Sequence, residues 1–220
     1  MSHNYLKISL LADTARSIVI EDAIKAFNDG HSPPPAFFYC SRNPAEPARS
    51  SPKAIAASIA RQISSLKPGL PILQPSNATY RKREEDGFAS GSLRIGESYE
   101  LIIRLGRHYP LITIIIDALD ECDPESRADL LSTLEKILRH SPTLVKIFLS
   151  SRDDQDIVCR LKDYPSLDIS SDKNMADIAS FVRAETQCLM LERKLLRSSS
   201  NKEELQESII YQVTKGASGM

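Results

Sequence analysis

The stretch "LITIIIDALDECD", Leu111 to Asp123, decides how the rest of the chain is read. Its first six residues are apolar except for Thr113, and four carboxylates follow within seven positions: Asp117, Asp120, Glu121 and Asp123. The β-branched run predicts a strand buried on both faces, as in a parallel sheet covered by helices. Ligands of such sheets bind beyond the C-terminal strand ends, which is where these acids fall. A carboxylate at a strand tip suits Mg²⁺, a hard cation that keeps part of its hydration shell. A second carboxylate within one turn suits the orientation of an attacking water. Asp117 fits the first role, and Asp120 and Glu121 fit the second. The plainer alternative is that the acids cap the following helix and complement its dipole.

The flanking patterns give an alternating order. "SIVIEDAIKAF" places Ile20, Ala23, Ile24 and Phe27 on one helical face, and "AFFYC", Ala36 to Cys40, is a short strand. Ser51-Pro52 opens a second helix with Ile55, Ile59, Ile63 and Leu66 in one stripe. "ESYELIIRLGRHYP" is a helix that ends before Pro110. "PESRADLLSTLEKILRHSP" is amphipathic, with Leu130, Leu131, Leu134, Ile137 and Leu138 on its apolar side. "TLVKIFLSS" is the next strand and runs into Arg152-Asp153-Asp154, which puts a guanidinium where it could meet a phosphate, or else pair with a neighbouring acid. A short helix near Asp156–Lys162, a strand "SLDIS" and a helix from about Met175 to Arg193 follow. The fold class is therefore α/β with a mostly parallel sheet.

Bulk composition narrows the function classes. A formal net charge of −1 gives no electrostatic reason to expect nucleic acid or an anionic membrane as partner. No run approaches the ~20 apolar residues of a membrane span. Four cysteines without a C-x-x-C pair suit reduced thiols, so a cytoplasmic location is expected. His3, His31, His108 and His140 lie far apart, and "NAT" at Asn77 reads as an ordinary loop.

"ITIIIDALDECD", "LVKIFLSSRDDQDI", "SIVIEDAIKAF", "PAFFYCSRNPAEPARSSPKAIAASIARQIS" and "ESYELIIRLGRHYP" resemble successive segments of a NACHT domain. The similarity is to the nephrocystin-like form found in fungal STAND proteins, the signal-transducing P-loop NTPases with several domains. It runs from about Ser17 to the C-terminus, and its most specific pieces are the Walker B strand with the small Ala118 and the "SSRDD" segment. The resemblance implies a P-loop NTPase sheet and binding of Mg²⁺ with ATP or GTP. By position it implies Asp117 as the magnesium ligand, Asp120 and Glu121 as the hydrolytic acids, and Arg152 as the sensor arginine.

One part of that pattern is missing. The phosphate loop G-x-x-x-x-G-K-[ST] cradles phosphates with backbone N–H groups and a lysine. None of the 8 glycines here is followed by lysine, and the place before "SIVIEDA" holds "SLLADTAR". The first strand is accordingly expected to be missing or replaced. "YLKISLL", Tyr5 to Leu11, either supplies a substitute strand or extends the helix at Ser17 backwards. If it does neither, the sheet carries a gap beside "VKIFLS".

The resulting domain assignment is an atypical segment at 1–16, a truncated NTPase-like core at 17–197 with an irregular insertion at 67–92, and a C-terminal extension at 198–220. The sequence reads as a fragment of a longer architecture. Three functions fit: a signalling or interaction module with impaired nucleotide binding, acting through protein partners or self-association; a residual Mg²⁺-dependent ATP or GTP binder or weak NTPase; and an unrelated α/β protein whose acids are structural.

Overall fold

The computed structural model describes residues 5–10, 16–67, 69–87, 91–168, 171–192, 194–195, 197, 199 and 201–217. In chain order the elements are β1 (Tyr5–Leu10), α1 (Arg16–Asn28), β2 (Ala36–Tyr39), α2 (Pro52–Gln62), α3 (Gln74–Glu85), α4 (Ile95–Gly106) and β3 (Leu111–Asp117). Then come α5 (Arg127–His140), β4 (Leu144–Ser150), α6 (Gln155–Leu161), β5 (Ser166–Asp168), α7 (Ser171–Leu191) and α8 (Lys202–Ala217). By their contacts the residues form two units, Met1–Leu167 and Asp168–Met220.

The α/β class expected from the sequence is the observed one. The five strands lie in the order β2-β3-β4-β1-β5. β2 with β3, β3 with β4, and β4 with β1 are parallel pairs. The first strand is therefore present: Tyr5–Leu10 lies beside β4, with Tyr5 opposite Lys146 and Ser9 opposite Ser150. Of the alternatives for "YLKISLL", the substitute strand is the one observed, so no gap lies beside "VKIFLS". Residues 11–15, which hold most of the "SLLADTAR" segment, lie outside the described residues.

Alternation along β3 and β4 builds the core. Ile112, Ile114 and Ile116 of β3, with Val145, Ile147 and Leu149 of β4, pack with Ile55 and Ile59 of α2. Leu101, Ile102 and Leu105 of α4 and all five stripe residues of α5 join the same cluster. Ile115 points to the opposite face and is buried as well, so β3 is covered on both sides. Each fully buried Ile or Leu contributes roughly 1.5–3 kcal/mol. Tyr109 closes this layer after α4, its hydroxyl lying 2.8 Å from the carbonyl oxygens of both Ile63 and Ser65.

Two local expectations change. The stripe of α2 does not reach Leu66, because the helix ends at Gln62 and Leu66 is exposed. The 67–92 insertion is not irregular throughout, for α3 occupies its middle. Pro75 in the first turn and the Thr79 hydroxyl donating to the Pro75 carbonyl at 2.8 Å shape its start. α4 anchors it from outside: Arg83 pairs with Glu97 at 3.0 Å, and Arg104 donates to Thr79 at 2.6 Å.

In the second unit α7 and α8 form a helical pair, joined by a bidentate Arg183–Glu207 contact at 2.6 and 3.2 Å. The tail beyond Ser198, for which the sequence suggested no element, is mostly this second helix. Among the described residues no helix is long and apolar enough to cross a membrane.

Candidate functional site

The C-terminal ends of β2, β3 and β4 place three loops side by side. Asp117, the last residue of β3, is only 5% exposed. Its carboxylate accepts a hydrogen bond from the Ser150 hydroxyl at the end of β4. The same Ser150 oxygen accepts the Ala118 N–H at 3.0 Å. One hydroxyl thus serves both neighbours, since it has a single proton to give and lone pairs to receive. The charge of Asp117 is felt at the edge of the sheet: burial first, and the Asp117 carboxylate second, push the Tyr39 phenol up.

Ala118 then turns the chain sharply. Its φ of 55° and ψ of 52° are left-handed, the one such non-glycine residue among those described. That conformation costs an L-residue on the order of 1–2 kcal/mol. It swings Leu119–Glu121 into a single 3₁₀ turn and lifts the two further acids off the strand axis. Ala118→Gly is expected to stabilise the chain by up to about 1 kcal/mol, and Ala118→Val to destabilise it, because β-branching worsens the strain. Urea midpoints of the two variants check this, and equal shifts would remove strain as the cause.

Asp120 and Glu121 are held by the loops on either side. Asp120 Oδ1 accepts the Arg152 N–H at 3.0 Å, and its Oδ2 lies 3.7 Å from Arg152 Nε. Arg152 itself is 63% exposed at its side chain, so this ion pair is largely solvated. Glu121 Oε2 accepts the Arg42 N–H at 3.1 Å, and the Arg42 guanidinium reaches the Asp120 carbonyl. The structure thus gathers all four residues singled out from sequence, Asp117, Asp120, Glu121 and Arg152, at two neighbouring strand ends. Arg152 lies against an acid of the chain itself.

Two arginines that the sequence reading overlooked complete the network. Arg42 comes from the loop after β2. Arg127, in the first turn of α5, is fully buried. Its Nη1 lies 2.9 Å from both Asp154 and Asp156, at the start of α6. Its Nη2 donates to the carbonyls of Asp120 and Cys122 at 3.2 Å each, while Nε has no partner among the described residues. A cation in the first helical turn opposes the helix dipole. That conflict, visible in "PESRADLL", was the available signal that Arg127 has acidic partners elsewhere.

The hydrogen bond from Arg127 holds the Asp154 carboxyl below its usual 3.8. A depressed folded value stabilises the fold above that pH and is lost as pH falls through it. The urea midpoint should therefore drop between about pH 5 and about pH 3, and drop less in Asp154→Asn. The difference should be small, because the Asp154 side chain is 41% exposed. An unchanged pH dependence in the variant would dismiss the pairing.

Thiol chemistry is not available here. Burial pushes the Cys122 thiol up to about 11 and raises that of Cys40 further, so neither forms the reactive thiolate. Among the described residues no group of three His, Cys, Asp or Glu side chains is placed to hold a metal ion. Asp117 has the chemistry of a single hard-cation ligand. The donors a triphosphate needs do not fit, however. The β1–α1 connection carries no glycine or lysine, and Arg42 and Arg152 both lie against Asp120.

Among solved structures, a Walker-type ATPase of Pyrococcus abyssi is 12% identical with a TM-score of 0.46, covering 98% of this chain and 62% of that one. A DNA replication initiation factor is 12% identical with a TM-score of 0.37, covering 99% and 56%. The Drosophila ORC bound to DNA is 10% identical with a TM-score of 0.34, covering 76% and 80%. No curated protein matches the sequence. The family model described as nephrocystin 3, N-terminal, matches residues 8–152, a span that begins within β1 and ends at Arg152, and the chain belongs to that family.

Proposed function

We propose that this chain is a NACHT-like module of the STAND signalling type that acts through protein contacts, its own copies included, with nucleotide binding impaired. The supporting observation is the state of the acids at the strand tips. Asp117 is bound by Ser150, Asp120 by the Arg152 backbone, and Glu121 by the Arg42 backbone. Such a site is satisfied by its own donors, and the connection that would cradle phosphates lacks glycine and lysine. Each hydrogen bond to a charged group is worth roughly 1.5–3 kcal/mol, and a nucleotide bound at about 1 μM is held by only ~8 kcal/mol. Loss of the phosphate cradle therefore takes affinity to millimolar or weaker. A cytoplasmic setting and protein partners belong to the same proposal.

A second reading, residual Mg²⁺-dependent ATP or GTP binding, is favoured by one observation. β1 keeps its interior place beside β4, so the strand ends around Asp117 are assembled. Calorimetry with Mg²⁺-ATP and Mg²⁺-GTP separates the two, with Asp117→Ala alongside. No heat at millimolar nucleotide from folded protein is the expected result. Micromolar binding that Asp117→Ala abolishes would replace the first reading by the second.

A further inference from the structure

The sheet ends at β2, and an edge strand presents unpaired backbone groups that invite another strand. In β2 the Cys40 side of the alternation faces inward, where the Cys40 N–H donates to the Asp117 carbonyl at 2.9 Å. Phe37 and Tyr39 therefore turn their backbone groups outward. The run "AFFY" is uncharged and aromatic, the composition that pairs most readily with a copy of itself. Pro33-Pro34-Pro35 blocks extension of the edge on its N-terminal side, which leaves these two residues as the accessible stretch.

Side chains of the same chain occupy that stretch. Gln62, the last residue of α2, accepts the Phe37 N–H on Oε1 at 3.0 Å and donates from Nε2 to the Phe37 carbonyl at 2.7 Å. Nε2 also lies 3.3 Å from Ser58 Oγ, which fixes the amide plane. Arg49 Nε donates to the Tyr39 carbonyl at 3.2 Å, with its guanidinium held by Glu46 at 2.9 Å. Two residues facing each other in an antiparallel pair exchange one N–H···O bond in each direction. The Gln62 amide makes that same exchange with Phe37. A side chain serving only as a helix end-group would have no reason to match both backbone atoms of one strand residue.

We infer that Gln62, assisted by Arg49, is a surrogate for a sixth strand that keeps β2 of a second copy of this chain from adding to the sheet. The occupant it excludes is another β2, because identical edges pair antiparallel across a two-fold axis with the same contacts on both sides. Any self-association of the wild-type chain must then use a different surface.

Sedimentation of the wild type, Gln62→Ala combined with Arg49→Ala, and Gln62→Glu combined with Arg49→Ala tests this. The alanine pair removes the surrogate, and its association constant should rise about ten-fold or more over wild type. The glutamate variant loses the donor to Phe37 but puts a charge at the edge, which repels strand addition, so it should not associate more than wild type. General loosening of α2 would affect both variants alike. The inference is overturned if the folded alanine variant associates no more than wild type, or if the glutamate variant associates as strongly as the alanine one. Should the variants not fold, amide exchange in the wild type decides: a protected Phe37 N–H supports the surrogate, and one exchanging as freely as an open edge refutes it.

Discussion

Replacing Asp154 and Asp156 together by alanine is expected to lower the stability of the first unit by about 3 kcal/mol, more than replacing Arg127 by methionine. The acids pair with Arg127 at 2.9 Å each, and the arginine is fully buried while the acids are roughly half exposed. Removal of both acids strands a guanidinium in the interior, a loss that typically costs 3–5 kcal/mol. The lower end applies because the space left by two truncated side chains admits water to Nη1. Arg127→Met leaves two carboxylates that hydrate easily, and the Asp120 carbonyl keeps its bond from Arg42. A figure near 1–2 kcal/mol is expected for it. For a unit of this size, 3 kcal/mol is a fall of roughly 6–12 °C in Tm. Thermal and urea unfolding of both variants decide the matter. If Arg127→Met proves the more damaging, the arginine is contributing packing and carbonyl contacts, and the stranded-charge argument fails.

A gain of function is the second large effect. Exchanging Leu11–Arg16 for an eight-residue G-x-x-x-x-G-K-S loop should raise affinity for Mg²⁺-ATP or Mg²⁺-GTP by about a thousand-fold, equivalent to ~4 kcal/mol. The exchange supplies backbone N–H groups, a lysine and the positive end of α1, the three elements of a phosphate cradle. Three or four such bonds would give roughly 5–10 kcal/mol if additive, and neighbouring bonds seldom are. The strand pairs give the reason for expecting success, since β1 runs parallel to β4 with Ser9 opposite Ser150, in the register that brings its end to the acidic tips. Calorimetry on the grafted chain, with and without Asp117→Ala, is the measurement. A folded graft that binds nothing would show that the acids at the tips are locked by Arg42, Ser150 and Arg152 beyond recovery.

The sequence disclosed what repeats locally and concealed what depends on distant partners. β3, β4 and α5 were legible because their apolar residues follow periods of 2.0 and 3.6, and all five stripe residues of α5 are buried. β1 was ambiguous because a short apolar run such as "YLKISL" suits a strand and a buried helix equally, and only its neighbour decides. α3 was missed because its residues are polar on every side, and its anchors, Glu97 and Arg104, lie on α4. Asp117, Asp120, Glu121 and Arg152 stood out in the sequence because each ends or follows a recognisable strand. Arg42 and Arg127 were not, since a lone arginine carries no spacing. Their meaning comes from loops that only the sheet order brings together.

That order also sets a timetable for folding. β1 is synthesised well before its parallel partner, centred on Lys146 and Phe148. At a synthesis rate of about 5–20 residues per second, the interval is on the order of ten to thirty seconds. During that wait the strand has no hydrogen-bonding neighbour on either side, because β5 is made later still. The nascent chain must hold an unpaired strand open until β4 is made, which is the mark of a high-contact-order pairing. Chaperone dependence in the cell should accordingly rest on residues 5–10, and a permuted chain that places them after β4 should fold faster than the natural one.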